Sequence, residues 1–332
     1  MSYTIYDAAE TAALLPYGAL RDELAAVLAE HERGELFLKE RVILPLPNGT
    51  LLAMPASDAR LSITKVVTVH PGNSARGIPT ISGEVIVARA DDGTRLGLLH
   101  GGTVTMRRTA ALSLLAARLM GVEDRPAEHL LVIGAGDQAR GHLEAFTEEL
   151  SIQGVTIASR TAQRAEELAS AMRGRGVAAT TVAPGTPEFV DAVLRSDIIV
   201  TATTSSAPVV SGDVRADASV FAVGAYRSDM AELSPAIVAG ARRVVVDTLA
   251  GAQHEAGELI QAAAAGVWEW SAAQTLLGLL AESGAVGHHA RQAGAAEASP
   301  VGPPAVGGHQ VFKSVGHAMY DLAAARVAFR NA

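Results

Sequence analysis

The sequence of 332 residues contains no cysteine, and this absence excludes several kinds of site at once. Disulfides, thiolate nucleophiles and cysteine-ligated metals are all ruled out, and the composition fits a reducing compartment. Aromatic residues are also scarce, at 4%, and the net charge at pH 7 is −8. Because nucleic-acid binding requires a basic surface and aromatic stacking platforms, we exclude that class of function.

Long apolar runs are missing as well. No stretch of ~18 uncharged apolar residues occurs, and residues 1–20 show no basic segment followed by an apolar one. We therefore expect no membrane span, no secretory leader and a cytoplasmic location. With 49% hydrophobic and 19% charged residues, the chain has the composition of a globular protein, and its length suffices for two domains.

The N-terminal third of the sequence predicts a helix followed by an antiparallel sheet. Apolar residues recur at helical spacing from Pro16 to Arg33. Two apolar runs then flank Asn48-Gly49, a pair that favours a hairpin turn because it tolerates positive φ. With a second turn at Asp92-Gly93, the pattern predicts a sheet from Arg41 to Leu99. A helix from Thr105 to Met120 is expected next.

From residue 122 the pattern changes to short buried strands that alternate with helices. The predicted strands are "HLLVIGAG", "GVTIAS", "SDIIVTATT", "ASVFAVG" and "RRVVVD", with helices over 138–150 and 161–173. This alternation predicts βαβ units and a doubly wound parallel sheet of the Rossmann type, hence an α/β protein. We place this dinucleotide-binding domain at residues 122–309.

The C-terminal part of the sequence gives weaker signals. Residues 284–308 are rich in Gly, Ala and Pro and predict a long loop. His288-His289 within it lacks carboxylates or further histidines at ligand spacing, so we interpret the pair as solvated and expect no metal. Residues 311–329 predict a helix that could return to the first domain.

The segment "LLVIGAGDQARGHL" carries Gly-x-Gly-x-x-Ala between a predicted strand and a predicted helix. The glycines permit a tight turn and a close approach of the backbone to a pyrophosphate at the helix N-terminus. The alternative is a glycine turn without a ligand. The residues predicted to bind a dinucleotide here are Gly134, Ala135, Gly136, Asp137, Gln138 and Ala139.

The end of the second predicted strand favours NADPH. An NAD site presents an acidic residue here to the ribose 2′-hydroxyl, whereas this sequence has Ser159, Arg160 and Thr161, followed by Arg164. Arginine and two hydroxyls suit a 2′-phosphate, and no carboxylate is present to repel it. The alternative is that Arg160 stacks beside adenine and that NADH is accepted too.

Three cations stand in or near apolar segments of the first domain. Arg41 opens a strand, Lys65 interrupts "LSITKVVTV", and Arg108 lies near a helix start beside Arg107. Each alone could extend its charge to solvent. Their combination is harder to explain in this way, and it directs attention to an anionic substrate.

These features resemble the ornithine cyclodeaminase/μ-crystallin family over nearly the whole chain. The matching segments are Arg41, "MPA" at 54–56, Lys65, "PGNSARGIPT" at 71–80, "LLHGGTVTMRRTAALSLLAAR" at 98–118, "GAGDQA" at 134–139, "AEL" at 231–233, "VVVD" at 244–247 and "FKSVG" at 312–316. The resemblance implies a homodimer, formed through an α+β substrate-binding and dimerisation domain of residues 1–121 with 310–332.

The resemblance also assigns roles to individual residues. Arg41, Lys65 and Arg108 would hold the carboxylate of an amino or imino acid beside the nicotinamide, with Thr80 in the same pocket, and Lys65 and Arg108 would be the catalytic residues. Arg107 occupies a variable position and is expected to be solvated.

Lys313 and Ser314 would approach the nicotinamide, although an ordinary helix start is the alternative. Further residues at predicted strand ends complete the cofactor-binding set: Thr203 and Val223.

One departure from the family pattern bears on the reaction. Cyclodeaminases share a "G-x-D-x-P-G-K-x-E-L" loop, and the resemblance implies that its aspartate assists ammonia loss. This chain has "GAYRSDMAEL", which puts Tyr226 at the aspartate position. Asp229 could substitute only if the loop were rearranged. Asp247, at another strand end, could serve only to cap a loop.

We therefore expect the reductase branch, which reduces the cyclic ketimines Δ1-pyrroline-2-carboxylate and Δ1-piperideine-2-carboxylate to L-proline and L-pipecolate. In this interpretation Lys65 bridges to the substrate carboxylate and relays a proton. The alternatives are an acyclic amino-acid dehydrogenase or N-alkyl amino-acid synthase of the same family, and an NADPH-binding protein of the crystallin type. Ornithine cyclodeaminase activity ranks last.

Overall fold

The computed structural model describes residues 3–125, 127–283 and 308–330. The chain divides into two compact units, the first comprising Met1–Leu112 with His317–Ala332 and the second Ser113–Gly316. These boundaries lie after Leu112 and Gly316, whereas the predicted boundaries lie after residues 121 and 309. The predicted loop, apart from Gly308, and the His288-His289 pair lie outside the described residues.

Seven strands form the sheet of the first unit. They are β1 (Thr4–Ile5), β2 (Phe37–Leu38), β3 (Val42–Leu46), β4 (Gly49–Ser57), β5 (Leu61–Val69), β6 (Ile81–Arg89) and β7 (Arg95–His100). The strand order is β1-β7-β6-β5-β4-β2, with β3 also paired to β4. Only β1 pairs in parallel among these strands, so the predicted antiparallel arrangement of the following strands is confirmed.

Both predicted turns are present in this sheet. Asn48 adopts the left-handed conformation, with φ of 60°, between β3 and β4, and Gly93 does so, with φ of 73°, between β6 and β7. Along β5, buried and half-buried positions alternate. Because side chains of a strand point to opposite faces in turn, Lys65 shares the buried face with Leu61 and Ile63.

The helices that accompany this sheet in the first part of the chain are α1 (Ala8–Ala13), α2 (Tyr17–Glu32) and α3 (Gly101–Leu119). α3 begins at Gly101 rather than at Thr105. The reason is that the His100 ring, and not a threonine, accepts the early backbone N–H of the helix, that of Thr103, at 3.1 Å.

The second unit contains a sheet of eight parallel strands. They are β8 (Ala127–Ile133), β9 (Ile152–Ala158), β10 (Ala178–Val182), β11 (Ile198–Thr201), β12 (Ser219–Ala222), β13 (Arg243–Val246), β14 (Ala273–Thr275) and β15 (Gln310–Lys313). The helices are α4 (Asp137–Glu149), α5 (Ala162–Gly174), α6 (Pro187–Arg195), α7 (Pro235–Ala239), α8 (Leu249–Glu255), α9 (Gly257–Ala264) and α10 (Leu276–Glu282).

The strand order of this sheet is β10-β9-β8-β11-β12-β15-β13-β14. The chain moves from β8 to β9 on one side and later returns to β11 on the other side of β8. The carboxyl end of β8 is therefore a topological switch point, where open parallel sheets bind their ligands. The predicted α/β class and Rossmann architecture are confirmed.

The helix predicted over residues 311–329 is wrong in its first part. Gln310–Lys313 form strand β15, which is buried at all four positions between β12 and β13. Gly316 then turns the chain with φ of 86°, and helix α11 covers Ala318–Ala328 in the first unit. The apolar segment forms a strand because the interior of a parallel sheet buries both of its faces.

Helix α11 packs against α2, β4 and β5 in the first unit. Arg326 ties it down, since its guanidinium donates to the carboxylates of Glu23, Glu30 and Asp58. No helix in the described parts of the chain is both long and apolar enough to cross a membrane.

Candidate active site

A buried charged cluster lies in the first unit, on β5, α3 and α11. The Lys65 ammonium donates to the Thr105 hydroxyl at 2.6 Å and to the Asp321 carboxylate at 3.1 Å. Arg108 Nε lies 3.6 Å from the same Oδ1 atom of Asp321. All three ionic side chains are buried, so the cluster holds its charges away from bulk water.

The local folding of each element brings these side chains together. Strand alternation turns Lys65 toward the buried face of the sheet. Thr105 and Arg108 are three residues apart on α3, so they lie on the same face of that helix. Asp321 is the acidic residue of α11, whose other buried positions are apolar apart from Tyr320.

The electrostatics of this cluster favour an additional anion. Burial lowers the pKa of Lys65, Arg108 and Arg41 lower it further, and Asp321 opposes the change. The cations therefore outnumber the one carboxylate. Arg108 Nε and Asp321 Oδ2 are buried without a hydrogen-bond partner among the described residues. Such polar atoms are costly to leave unpaired, so a polar ligand would be stabilised here.

The other predicted substrate residues have different surroundings. Arg41 is half-buried just before β3, and its charge acts on Lys65. Thr80 is half-buried, and its backbone carbonyl accepts from the His70 N–H at 2.8 Å. Within the described residues no hydrogen bond joins the Thr80 side chain to Lys65 or Arg108.

Arg107 is not solvated, contrary to the expectation. Its Nε atom donates to the Leu15 carbonyl at 2.6 Å, and its guanidinium carbon lies 3.8 Å from the centre of the Tyr17 ring. The residue is half-buried because it anchors α3 to the chain around the start of α2 by a hydrogen bond and a cation–π contact. Of the two adjacent arginines, Arg108 alone joins the charged cluster.

The predicted dinucleotide segment forms the turn between β8 and α4 in the second unit. Gly134 has φ of 125°, and a Cβ there would collide with the Ala202 carbonyl oxygen. A Cβ at Gly136 would meet nothing within 4 Å. Gly136 is also the N-cap of α4 and provides no side-chain cap. The open space beside uncapped N–H groups fits a pyrophosphate.

Other residues of this segment agree with such a site. The Gln138 Oε1 atom is buried without a hydrogen-bond partner in the described residues, while Ala139 is fully buried against the sheet. Ala135 is half-buried and Asp137 is exposed at the first position of α4. The residues present therefore fit a dinucleotide, whose phosphates Gly136 and the first turn of α4 would hold.

The residues predicted to recognise the cofactor ribose follow β9. Ser159 Oγ accepts the Thr161 N–H at 3.1 Å, which shapes the turn into α5. Arg160 and Arg164 are exposed, and the described residues contain no ion pair that engages either of them. Both guanidiniums therefore remain available to an anionic group.

Two loops at the carboxyl edge of this sheet are tied together by Glu232, a residue that the sequence analysis did not single out. Its carboxylate accepts from the Thr203 N–H at 2.6 Å, the Thr203 hydroxyl at 2.8 Å and the Gly224 N–H at 2.7 Å, and more weakly from Ala225. Neighbouring Val223 is buried, and its N–H donates to the Thr201 carbonyl at 3.0 Å. The predicted cofactor residues Thr203 and Val223 thus lie on loops that Glu232 positions.

Lys313 and Ser314 lie at the same edge, and both are occupied by protein groups. Lys313 is fully buried, 3.0 Å from Glu258 Oε1, and donates to the Ala225 carbonyl at 2.6 Å. Burial raises the pKa of Glu258. The Ser314 hydroxyl donates to Asp247 Oδ2 at 2.8 Å. That oxygen also accepts the backbone N–H groups of residues 315 and 316, so Asp247 caps this loop.

Asp321 and Glu232 were not predicted as site residues. In the sequence, only their apolar neighbours could have indicated a special role. Asp321 stands in a helical segment whose buried positions are mostly apolar, and Glu232 is the acidic residue of "AEL". Acidic residues in apolar surroundings are uncommon in cores unless they are paired. No periodic pattern distinguishes them from surface residues, and their partners are distant in sequence.

Residues 226–229 of the loop that departs from the cyclodeaminase pattern are exposed. Tyr226 is 39% exposed. Asp229 forms a two-pronged pair with Arg227, at 2.9 and 2.8 Å, and its side chain is 67% exposed. Asp229 therefore does not occupy the position of a buried catalytic carboxylate. In the described residues no cluster of His, Asp and Glu suits a metal ion.

A family model and two known relatives match nearly the whole chain. The model of the ornithine cyclodeaminase/mu-crystallin family matches residues 4–332. The chain is 39% identical over 326 residues to Delta(1)-pyrroline-2-carboxylate reductase 1 of Burkholderia multivorans, covering 98% of this chain and 94% of that protein. It is 37% identical over 327 residues to the Delta(1)-pyrroline-2-carboxylate/Delta(1)-piperideine-2-carboxylate reductase of Azospirillum brasilense, with the same coverage of 98% and 94%.

A solved structure shares the fold. It is that of Thermococcus litoralis Delta(1)-pyrroline-2-carboxylate reductase in complex with NADH and L-proline, with a TM-score of 0.83 and 24% identity, covering 98% of this chain and 96% of that one.

Proposed function

Because the chain belongs to the ornithine cyclodeaminase/mu-crystallin family, we propose that it reduces cyclic imino acids with NADPH. It is a nicotinamide-dependent oxidoreductase that acts on a C=N bond. The proposed substrates are Δ1-pyrroline-2-carboxylate and Δ1-piperideine-2-carboxylate, and the products are L-proline and L-pipecolate. Two relatives that each cover 98% of this chain carry names that include the first substrate, and one name includes the second, which supports this choice.

The observation that carries the proposal is the buried cluster of Lys65, Arg108 and Asp321. Its excess positive charge suits the carboxylate that both imines carry. A guanidinium matches a planar carboxylate with two parallel hydrogen bonds, while an ammonium acts as a compact point charge. We assign carboxylate binding to Arg41, Lys65 and Arg108, with Thr80 in the same pocket.

These residues would orient the substrate and donate a proton to its imine nitrogen. When bound, the cofactor supplies the hydride that reduces the C=N carbon. Lys65 and Arg108 hold the carboxylate on that carbon, which restricts its orientation. Because burial lowers the pKa of Lys65, its ammonium is a stronger acid than that of free lysine. Nζ can therefore pass a proton to the imine nitrogen.

NADPH is the proposed cofactor because of the side chains that follow β9. Arg160 and Arg164 are exposed and close in sequence to the hydroxyls of Ser159 and Thr161. A 2′-phosphate would receive charge-assisted hydrogen bonds from this group, whereas NADH offers it no anion. Residues 134–139, Thr203, Val223, Lys313 and Ser314 complete the proposed cofactor-binding set.

Reduction is favoured over cyclodeamination by the loop at residues 224–233. The resemblance to cyclodeaminases implies that deamination requires an aspartate at the position where this chain has Tyr226. Asp229 is exposed and paired with Arg227, so it does not replace that group.

The sheet of the first unit supports a homodimer as part of the proposal. Val42, Ile43 and Leu44 of β3 are 59%, 60% and 52% exposed. A continuous exposed apolar strand is unfavourable in water and is commonly covered by a partner. A second copy of the chain would cover it, and light scattering of the Ile43→Glu variant should then show a monomer.

The absence of cysteine fits the proposed cytoplasmic location.

Steady-state kinetics with separate substrates test the proposal. NADPH oxidation is followed with each cyclic imine, with pyruvate plus ammonia or methylamine, and with NADH in place of NADPH. Rapid turnover of the imines with NADPH, and slow turnover of the acyclic pairs, is expected. Turnover of the acyclic pairs alone would make the protein an acyclic dehydrogenase, and NADPH binding without any turnover would make it a binding protein.

A further inference from the structure

The buried cluster raises a problem of charge that the assigned carboxylate-binding residues do not solve. A cyclic imine accepts hydride readily when its nitrogen is protonated, and it then carries a positive charge. Lys65 and Arg108 are cations at the same site, and like charges disfavour the protonated form. The carboxylate of the substrate offsets only one of these charges.

Asp321 is placed where an opposing charge is needed. One of its oxygens is shared, at 3.1 Å from Lys65 Nζ and 3.6 Å from Arg108 Nε, while the other oxygen has no hydrogen-bond partner among the described residues. A carboxylate whose task is only to hold two elements together would be expected to engage both oxygens. Here half of its hydrogen-bonding capacity is unused.

Other contacts also hold α11 in place. Arg326 of the same helix reaches carboxylates on α2 and on the turn between β4 and β5. Most of the helix is buried, largely through apolar side chains. A second anchor through Asp321 is therefore not required for packing.

We infer that Asp321 is a positioning residue that orients Lys65 and Arg108 and supplies the negative charge that stabilises the positive ring nitrogen beside them once Lys65 has protonated the imine. This inference rests on the proposed function. Asp321 acts through the two cations and through its field, and it undergoes no bond change in the reaction. It selects ligands that combine a carboxylate with a positive ring nitrogen.

Two ligands of similar size, both with a carboxylate on a five-membered ring, distinguish this role from simple structural support. L-Proline has a carboxylate and a positive ring nitrogen, whereas pyrrole-2-carboxylate has the same carboxylate and a neutral ring nitrogen. Their dissociation constants are measured by calorimetry on the enzyme saturated with NADP⁺. Asp321→Asn removes the charge at nearly constant size. Thr105→Val is the matched control, because it removes a hydrogen bond from the same Lys65 ammonium without changing any charge.

In Asp321→Asn the affinity for L-proline should fall by about tenfold or more relative to that for pyrrole-2-carboxylate, whose binding should be unchanged or tighter. In Thr105→Val both affinities should fall together and their ratio should stay within about twofold of wild type. If Asp321→Asn weakens both ligands equally, or neither of them, the inference is wrong.

A second variant keeps the test decisive. If Asp321→Asn does not fold, as judged by circular dichroism and melting temperature, Asp321→Ser is measured with the same expectation. Failure of both to fold would show that Asp321 is needed to hold α11, which also overturns the inference. Wild-type enzyme that reduces no cyclic imine would instead refute the proposed function, so the two failures are distinguishable.

Discussion

The ammonium of Lys65 and the carboxylate of Asp321 form an ion pair that is almost entirely removed from water. Nζ lies 3.1 Å from Oδ1, and the two side chains are 5% and 0% exposed. Each charge loses its hydration on burial, so each depends on the other and on Arg108 for compensation. Changes at this pair should therefore affect both the stability of the first unit and the chemistry of the site.

Replacing Lys65 with methionine should lower kcat/KM for cyclic imines by about 10²–10⁴-fold, the usual range for the loss of a positioned proton donor. The variant should also melt at a lower temperature, because Asp321 loses its nearest cation. Kinetics with saturating NADPH check the first effect and thermal unfolding the second. Unchanged NADPH affinity serves as the folding control, since the nucleotide segment belongs to the other unit. Near-normal turnover would exclude the proposed role of Lys65.

Replacing Arg160 with alanine should weaken NADPH binding and leave NADH binding nearly unchanged. One charge-assisted hydrogen bond contributes about 1.5–3 kcal/mol, so the ratio of the two dissociation constants should change by about 10- to 100-fold. Fluorescence titration with both cofactors measures this ratio in one variant. Equal weakening of both would indicate that Arg160 contacts the adenine rather than a 2′-phosphate.

Replacing Glu232 with glutamine should loosen the two loops that carry Thr203 and Gly224. The new amide group would face backbone N–H donors and leave at least one of them unpaired, at a cost of about 1–3 kcal/mol. A lower melting temperature and weaker cofactor binding are expected. Thr203→Val, which removes only one of the four hydrogen bonds to Glu232, should lower the melting temperature less. If glutamine leaves the melting temperature and the cofactor affinity unchanged, Glu232 does not position these loops.

His142 should make the protein sensitive to acid. Its ring is fully buried, with Nδ1 donating to the Gln138 carbonyl at 2.7 Å and Nε2 accepting from Ser113 at 2.9 Å, and burial lowers its pKa from 6.5 to about 4. Below pH 6.5 the His142 ring takes up a proton in the unfolded state but stays neutral in the folded state. The stability present above this pH is therefore lost progressively as the pH falls toward about 4.

Urea unfolding at pH 7 and pH 5 measures this contribution. One pKa unit corresponds to about 1.4 kcal/mol, so His142 should account for about 2 kcal/mol of the loss over this interval. His142→Gln lacks the titration, and its free energy of unfolding should fall by that much less between the two pH values. An identical pH dependence in both proteins would show that the buried ring does not govern acid sensitivity.

Much of the fold was predictable because it depends on local patterns. The alternation of short apolar strands with helices indicated the Rossmann sheet, and Asn48 and Gly93 stand at turns whose left-handed backbone those residues favour. Strand β15 was missed because its four residues adjoin a helical pattern and pair only with strands that are distant in the sequence. Local periodicity carries no information about such pairing.

Two cations of the candidate site were predictable, because charged residues are uncommon in apolar segments of a sequence. Lys65 and Arg108 were identified in this way, and the structure joins them. Asp321 and Glu232 were not, because their partners lie far away in sequence and a single acidic residue has no pattern. Arg107 was wrongly predicted to be solvated, because the sequence does not show that its side chain lies over the Tyr17 ring.

In the proposed reaction, this chain transfers hydride from NADPH to the C=N carbon of a cyclic imino acid. The most direct test is reduction of Δ1-pyrroline-2-carboxylate with NADPH carrying deuterium at the transferable position of the nicotinamide, followed by chiral mass analysis of the product. L-Proline with one deuterium on the α-carbon is expected. Proline without deuterium at that carbon, or no proline, would contradict the proposed reaction.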